Sequence, residues 1–420
     1  MGPVHDGVRV VLAGLRSEVH RPEHRSRHRQ PCPSEMCVVH GAGLRVRRWG
    51  SQALAVPVSG SGSGLVVVVV VVVVGGRGRL RACVPGYGPP EGGSSVPQVN
   101  IPALRGSRII GFGHHQPSRI LTNDELSTMV DTNDEWITTR TGIKTRHIAG
   151  PDDTVTSMAV EAGRAALADA GVDPSEVGLV VVASTTHEDR APYTAGRVAA
   201  ELGLSGRAAP IDINTACSGF EYAMGIADQA VRTGSADTAL VIGSEKLSGI
   251  VDWTDRSTCV LVGDGAGAAV VGVSEEPQIG PVSWGSVPHL EQAVRVSGEP
   301  ARFSQEGRSI YRWAITEAAD HARAVVEAAG LSIEDIEVFA FHQANLRIIE
   351  PLVEALGGSP SYVVRDVVES GNTSAASVPL GLSKAWARGE LPEGVPALLF
   401  GFGGGFAHAG QVVTTPVRRG

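Results

Sequence analysis

From Ser107 onward, short apolar runs alternate with longer segments whose apolar residues recur every three or four positions. These are the two periodicities that distinguish strands from helices. SRIIGFG reads as a strand, DTVTSMAVEAGRAALADAG as a helix capped by Asp153 or Thr154, and VGLVVVAST as a buried strand. YTAGRVAAELG, a helix opening at Cys217 and the strand TALVIGSE continue the alternation, and RSTCVLVGDGAGAAV, with Cys259, reads as a strand. The pattern predicts an α/β body with a parallel or mixed sheet covered by helices.

The pattern also repeats itself. AALADAGVDPSEVGLVVVASTTH, from Ala165, lines up with AVVEAAGLSIEDIEVFAFHQAN, from Ala324. Each runs through helix, glycine stop, acidic turn and a hydrophobic strand that ends in polar residues. An echo at so wide a separation predicts two like halves rather than a short-period solenoid. Active-site groups are then expected at the carboxyl ends of strands from both halves.

The first hundred residues have another texture: RPEHRSRHRQPCP, a Gly/Ser run, the apolar stretch Leu65 to Val74, then GGRGR. Ten apolar residues fall short of the roughly 20 that span a bilayer, and the stretch lies too deep for a signal peptide. Residues 1–100 are therefore expected to be a low-complexity extension or sequence upstream of the true start, with a membrane or targeting role as the alternative.

Charge sharpens this division. The 420-residue chain carries a formal charge of -8, and its first hundred residues hold twelve Arg against five acidic residues, so the body is strongly acidic. An acidic body argues against general nucleic-acid binding. Five cysteines, Cys32, Cys37, Cys83, Cys217 and Cys259, form no framework and suit a reducing cytosol. Cys32, Cys37 and His40 have poor metal-ligand spacing, and no second pair follows.

Cys217 follows a strand and opens a helix, where free N–H groups and the macrodipole favour a thiolate. It is a candidate nucleophile; the alternative is a small buried core cysteine, the reading that fits Cys259. VFAFHQANLRIIEPL ends a strand with His342, Gln343 and Asn345, and VVESGNTSAASVPLGLSKAW places Asn372 in a Gly/Ser turn. One histidine or one turn asparagine is ordinarily structural. Polar groups at three strand-to-helix junctions of one duplicated sheet point instead to a site. LLFGFGGGFAHAG adds glycines that let backbone N–H groups approach an oxyanion.

Together ACSGF, HQAN, GNTSAAS, GFGGGF and DTNDEWITTRTGIKTRHI resemble β-ketoacyl-acyl carrier protein synthase III, the initiating condensing enzyme of type II fatty-acid synthesis. The likeness covers about residues 101–420. It implies an α/β thiolase-like fold with duplicated halves, 101–275 and 276–420, in five layers (α-β-α-β-α). It further implies a cytoplasmic homodimer that uses acyl-CoA and malonyl-acyl carrier protein, without metal or redox cofactor. By the same match Cys217 is the acyl-accepting nucleophile, His342 and Asn372 act on the malonyl group, and the N–H groups of Cys217 and Gly404 form the oxyanion hole. Elongating relatives pair the cysteine with two histidines, and thiolases place a second cysteine where this chain has Phe402 to Phe406.

The resemblance assigns further roles. Trp136 stacks on the adenine of coenzyme A, Arg256 faces the same ring, Thr132 lies near the nucleotide, and Asn345 lines the pantetheine tunnel. Arg312 and Arg347 belong to a basic patch for the acidic carrier protein, a local exception to the acidic body. Here the helix runs on as EPLVEALGG, with Glu350 and Glu354 where the family's patch often continues. Thr185 to Gly196 match a loop that closes the partner's acyl pocket. Ala191 before Pro192 replaces a bulky aromatic of acetyl-preferring relatives, which implies room for branched or longer primers. The same triad would serve a starter-unit synthase or acyltransferase of polyketide or specialised metabolism; a non-catalytic partner subunit would typically lack the nucleophile.

Overall fold

The computed structural model describes residues 103–418. They begin with β1 (Gly106–His115) and the hairpin of β2 (Arg119–Thr122) and β3 (Thr145–Ile148), whose connection holds α1 (Asn123–Leu126) and α2 (Asp134–Thr141). Next come α3 (Val155–Ala170), β4 (Leu179–Ala183), α4 (Thr194–Leu202), β5 (Ala209–Ile213), α5 (Gly219–Arg232) and β6 (Thr238–Lys246), then α6 (Arg256–Cys259) and β7 (Asp264–Ser274). The chain continues through β8 (Ser283–Ser286), the ribbon β9 (Val294–Ser297) and β10 (Arg302–Gln305), α7 (Gly307–Thr316), α8 (Ala318–Ala328) and β11 (Val338–Phe341). It closes with α9 (Leu346–Leu356), β12 (Tyr362–Val363), α10 (Val367–Ser370), α11 (Ser377–Arg388), β13 (Pro396–Phe402) and β14 (Ala407–Thr414).

Two five-stranded sheets form, ordered β1-β7-β6-β4-β5 and β12-β11-β13-β14-β8. In the first, β4 is parallel to β5 and β6, while β7 is antiparallel to β6 and β1. The second repeats this plan, with β11 parallel to β12 and β13, and β14 antiparallel to β13 and β8. β4 and β11, the strands of the sequence echo, thus hold matching places. Each follows a helix, a glycine in the left-handed region (Gly171, φ 59; Gly330, φ 74) and a short 3-10 turn capped by Asp173 or by the Ser332 capping box.

The strands show how the layers are held. Along β4, Val180 and Val182 join the cluster under α3 and α4, while Leu179, Val181 and Ala183 face the cluster around α5 and α11. On β13, Ala397 and Leu399 face that same central cluster, and Leu398, Phe400 and Phe402 join a third one with α8 and α9. Sheets apolar on both faces must be covered on both, and the result is five layers, helix, sheet, helix, sheet, helix. This is the thiolase-like α/β fold.

Local chemistry sets the boundaries. Thr154 caps α3 in a capping box with Ser157, as one of the two candidate caps. RSTC departs from expectation: the Asp255 side chain accepts from the Ser257 N–H and starts α6, so Cys259 is a buried helical residue and the strand begins only at Asp264. The first hundred residues, with Cys32, Cys37, Cys83, His40 and the apolar run, lie outside the described residues. Among those described, no helix is long and apolar enough to cross a membrane, and no group of His, Cys, Asp and Glu is placed to hold a metal ion.

Gly243 of β6 is where the first sheet touches the turn Ser374–Ala376, since a Cβ there would collide with the Ala375 carbonyl and come 3.0 Å from the Ala376 Cα. Gly243→Ala should therefore lower unfolding stability by about 1–3 kcal/mol. Denaturant titration gives the answer; an unchanged midpoint would mean that the contact is soft.

Candidate active site

Three tight turns meet between the sheets. Ala216–Ser218 follows β5, Ser374–Ala376 follows Asn372, and Gly404–Phe406 follows β13; each is a 3-10 turn, and the first packs against the other two. Each holds one non-glycine residue in the left-handed region: Ala216 (φ 49), Ser374 (φ 47) and Phe406 (φ 47). Such strain persists only where surrounding packing dictates it, and it collects at functional sites.

Cys217 is a half-buried free thiol at the head of α5. Gly403 allows the third turn to close over it, because a Cβ there would sit 2.6 Å from the cysteine Cβ and 2.7 Å from Sγ. Burial is the dominant influence on the thiol and pushes it up to about 11, against the Ser374 hydroxyl and the Gly404 N–H, which both favour the thiolate. The helix N-terminus adds to that favourable side, yet the resting state is the thiol. Sequence reasoning counted the dipole and missed the desolvation.

Asn372 is fixed at both ends. Its N–H donates to Leu261 O at 2.8 Å, its carbonyl accepts from Gly263 N at 2.9 Å, and its side-chain Oδ1 accepts from Ser374 N at 2.8 Å. With Oδ1 committed, the NH₂ is the free donor. His342 lies beyond the end of β11, its N–H bonded to Phe400 O of β13 at 2.9 Å and its ring 6.0 Å from Phe402, edge to face. The Ser377 hydroxyl is 2.9 Å from Nδ1 and 3.3 Å from the Gln343 N–H that it accepts. That hydroxyl has no other acceptor among the described residues, so its proton is assigned to Nδ1, which places the proton of the neutral ring on Nε2. Burial pushes the ring down to about 3, so it is neutral at physiological pH. Ser374 and Ser377, on one segment, thus serve cysteine, asparagine and histidine together.

A second group lies on α2 and its neighbours. Two guanidinium groups lie over the Trp136 ring, Arg256 Cζ at 4.8 Å and Arg140 Cζ at 4.6 Å from its centre. Arg256 is held by Asp131 O at 2.5 Å, and Thr132 Oγ1 is buried with no partner among the described residues. Gly142 ends α2 in the left-handed region (φ 80) against Leu346, which brings this group to α9, headed by Asn345. Arg347 on α9 and Arg312 on the adjoining α7 are exposed, while Glu350 is bonded to Arg365 at 2.6 Å.

Two expected residues stay apart. Ala191 and Pro192 are exposed on the β4–α4 connection and do not join the Cys217 turns. Sequence reasoning missed Arg140, Ser374, Ser377 and Glu221. Arg140, four residues beyond Trp136 on one helix, was legible from i,i+4 spacing; the serines' roles depend on folding, and no pattern marks Glu221, a carboxyl in the first turn of α5 that is fully buried with neither oxygen bonded.

The comparisons agree with one another. The family profile described as 3-oxoacyl-[acyl-carrier-protein (ACP)] synthase III matches residues 211–288, and its C-terminal counterpart matches 326–415. Beta-ketoacyl-[acyl-carrier-protein] synthase III 4 of Streptomyces coelicolor is 59% identical over 315 residues, 74% of this chain and 99% of its own. Its namesake numbered 2 from Streptomyces avermitilis is 56% identical over 316 residues, 74% of this chain and all of its own. Among solved structures, the priming β-ketosynthase of the R1128 polyketide pathway superposes with a TM-score of 0.75 at 41% identity, covering 77% of this chain and 100% of that one.

Two buried histidines set an acid limit. Burial holds His408 down to about 4, with His321 beside it at 4.2 Å between rings, and His342 down to about 3. In the unfolded chain both take up protons below about 6.5, so the unfolded state then binds more protons and is favoured. Their contribution is complete above pH 6.5 and should be lost as pH falls toward 4, lowering the melting temperature. His408→Tyr should make that decline shallower than in wild type; an identical decline would exclude His408 as a source.

Proposed function

The chain belongs to the 3-oxoacyl-[acyl-carrier-protein] synthase III family of condensing acyltransferases, and from that premise we propose that it joins a short-chain acyl-CoA to malonyl-acyl carrier protein. The products are 3-ketoacyl-acyl carrier protein, coenzyme A and carbon dioxide, in the cytoplasm. The observation that carries this reading is the meeting of the Cys217, Asn372 and Gly404 turns, with His342 tied to the same segment through Ser377.

Cys217 Sγ attacks the acyl thioester, and the thiol of coenzyme A leaves with the proton. The oxyanion is received by the N–H groups of Cys217 and Gly404, the latter already directed at the thiol. Malonyl-carrier protein then binds, its carboxylate leaves as carbon dioxide, and the electron pair remains as an enolate. His342 Nε2–H and the Asn372 NH₂ are the donors for that enolate oxygen; a neutral imidazole with its proton on Nε2 suits the task. The enolate carbon attacks the acyl thioester, and collapse of the second tetrahedral oxyanion releases Cys217 as a thiolate, which takes a proton from water to restore the thiol. No step calls on a metal or redox group.

Trp136, Arg256, Thr132 and Asn345 take the coenzyme A nucleotide and pantetheine, with Arg140 added from the structure. Arg312 and Arg347 receive the carrier protein; the ion pair of Glu350 with Arg365 supports this by neutralising one of the two acidic residues nearby. A homodimer is supported by the open edge of β5, where Ile211 is 37% and Tyr193 42% exposed, since bare apolar edges are paired or covered. In that dimer the Ala191–Pro192 loop would close the other subunit's acyl pocket, and its small wall favours branched primers. Likeness to the polyketide priming enzyme supports a second reading, the same condensation on a polyketide carrier.

Intact mass after incubation with acetyl- and isobutyryl-CoA tests the assignment. Cys217→Ala should form no acyl adduct. Asn372→Ala should acylate as wild type but condense about 10²-fold or more slowly; equal loss of both steps would contradict the division of labour. Isobutyryl-CoA should acylate at least as fast as acetyl-CoA, and a strong acetyl preference would refute the small-wall argument.

A further inference from the structure

Glu221 lies four residues beyond Cys217, one helical turn along α5. Its side chain has no solvent contact, and neither Oε1 nor Oε2 finds a partner among the described residues. Gly401 of β13 makes room for it: a Cβ there would strike Glu221 Oε2 and sit 3.0 Å from the Cys217 carbonyl oxygen. The carboxyl and the nucleophile's backbone thus abut one spot on the strand. The Gln411 amide is spent on backbone, its N–H reaching Glu221 O at 3.2 Å and its oxygen accepting from Gly225 N at 3.0 Å.

A carboxylate buried with no cation and no donor is costly, so the group retains its proton instead. We propose that Glu221 is a positioning residue for the nucleophile: a neutral carboxylic acid behind Cys217 whose ionisation suppresses thiolate formation. This rests on the reading of Cys217 as nucleophile.

The surrounding charges permit it. The elements against α5 bring Arg108, His114 and His115 on β1, Glu245 and Lys246 on β6, Asp264 on β7 and His408 on β14, while β4 and β13 bring no titratable group. Burial pushes Glu221 up to about 8 against the opposing pull of its own backbone N–H, and the Cys217 thiol is raised by burial first and then by Glu245 and Glu221. Glu245 is a different case, since Ser184, Thr185 and Thr186 donate to its carboxylate. A unit charge a few ångströms from a thiol in the interior changes the thiolate population by about tenfold or more.

Alkylation of Cys217 by iodoacetamide, read as intact mass with Cys217→Ala as the blank, measures this from pH 7 to 9.5. The rate of Glu221→Gln relative to wild type should grow by about tenfold or more across that range, because only the wild type acquires the opposing charge. Glu221→Asp, which keeps a carboxyl, should follow wild type. A constant ratio overturns the proposal, as does a flattening near pH 8 that persists in Glu221→Gln, which would assign it to Glu245. Should Glu221→Gln fail to fold, the wild-type profile decides: a flattened rise near pH 8 supports the proposal, and an unbroken tenfold rise per pH unit overturns it. Iodoacetamide needs no acyl-CoA, so failure here leaves acyl transfer standing, and failure of acyl transfer leaves this profile intact.

Discussion

The site depends on how closely β13 approaches the head of α5. Gly403 lets the last turn touch both Cβ and Sγ of Cys217, and Gly401, two residues earlier, accommodates Glu221. Between them Phe402 turns to the other face and presents its ring edge to His342. The period-2 geometry of one strand therefore serves the nucleophile on one side and the histidine on the other. A side chain at either glycine would drive strand and helix apart, and the Gly404 N–H with them.

That approach is possible because the two halves share one interior. α5 and α11 lie between the sheets, and the central cluster draws residues from both, Val181 and Val241 from the first, Ala340 and Leu399 from the second. Neither sheet could cover its inner face alone. The candidate catalytic groups supplied by separate halves are thus held by the same packing that holds the fold, as with Ala375, which packs against both Gly219 and Gly243.

Much of this was legible in the sequence, for identifiable reasons. The echo at Ala165 and Ala324 predicted matching β4 and β11, because glycine stops and capped acidic turns are local chemistry. The apolar run Cys259-Val260-Leu261-Val262 reads as the start of a strand, whereas the Asp255 cap makes Arg256–Cys259 a helical turn and the strand starts after it. The residues of the site could be named from short motifs, whereas their electrostatics could not. The raised Cys217 thiol, the neutral His342 and the unpartnered Glu221 all arise from desolvation, a property of burial between distant segments. Ser374 and Phe406 are not glycines themselves, so their identity does not announce their left-handed backbone.

Trp136 bears on the traffic of ligands. Its ring already interacts with Arg140 and Arg256, so a flat base docking there exchanges a cation–π contact for a stacking one rather than covering a bare face. The gain from such an exchange is the difference between two similar interactions. Recognition built this way gives fast turnover of a bound nucleotide rather than tight retention, which suits the proposed reaction, where coenzyme A leaves before the carrier protein binds.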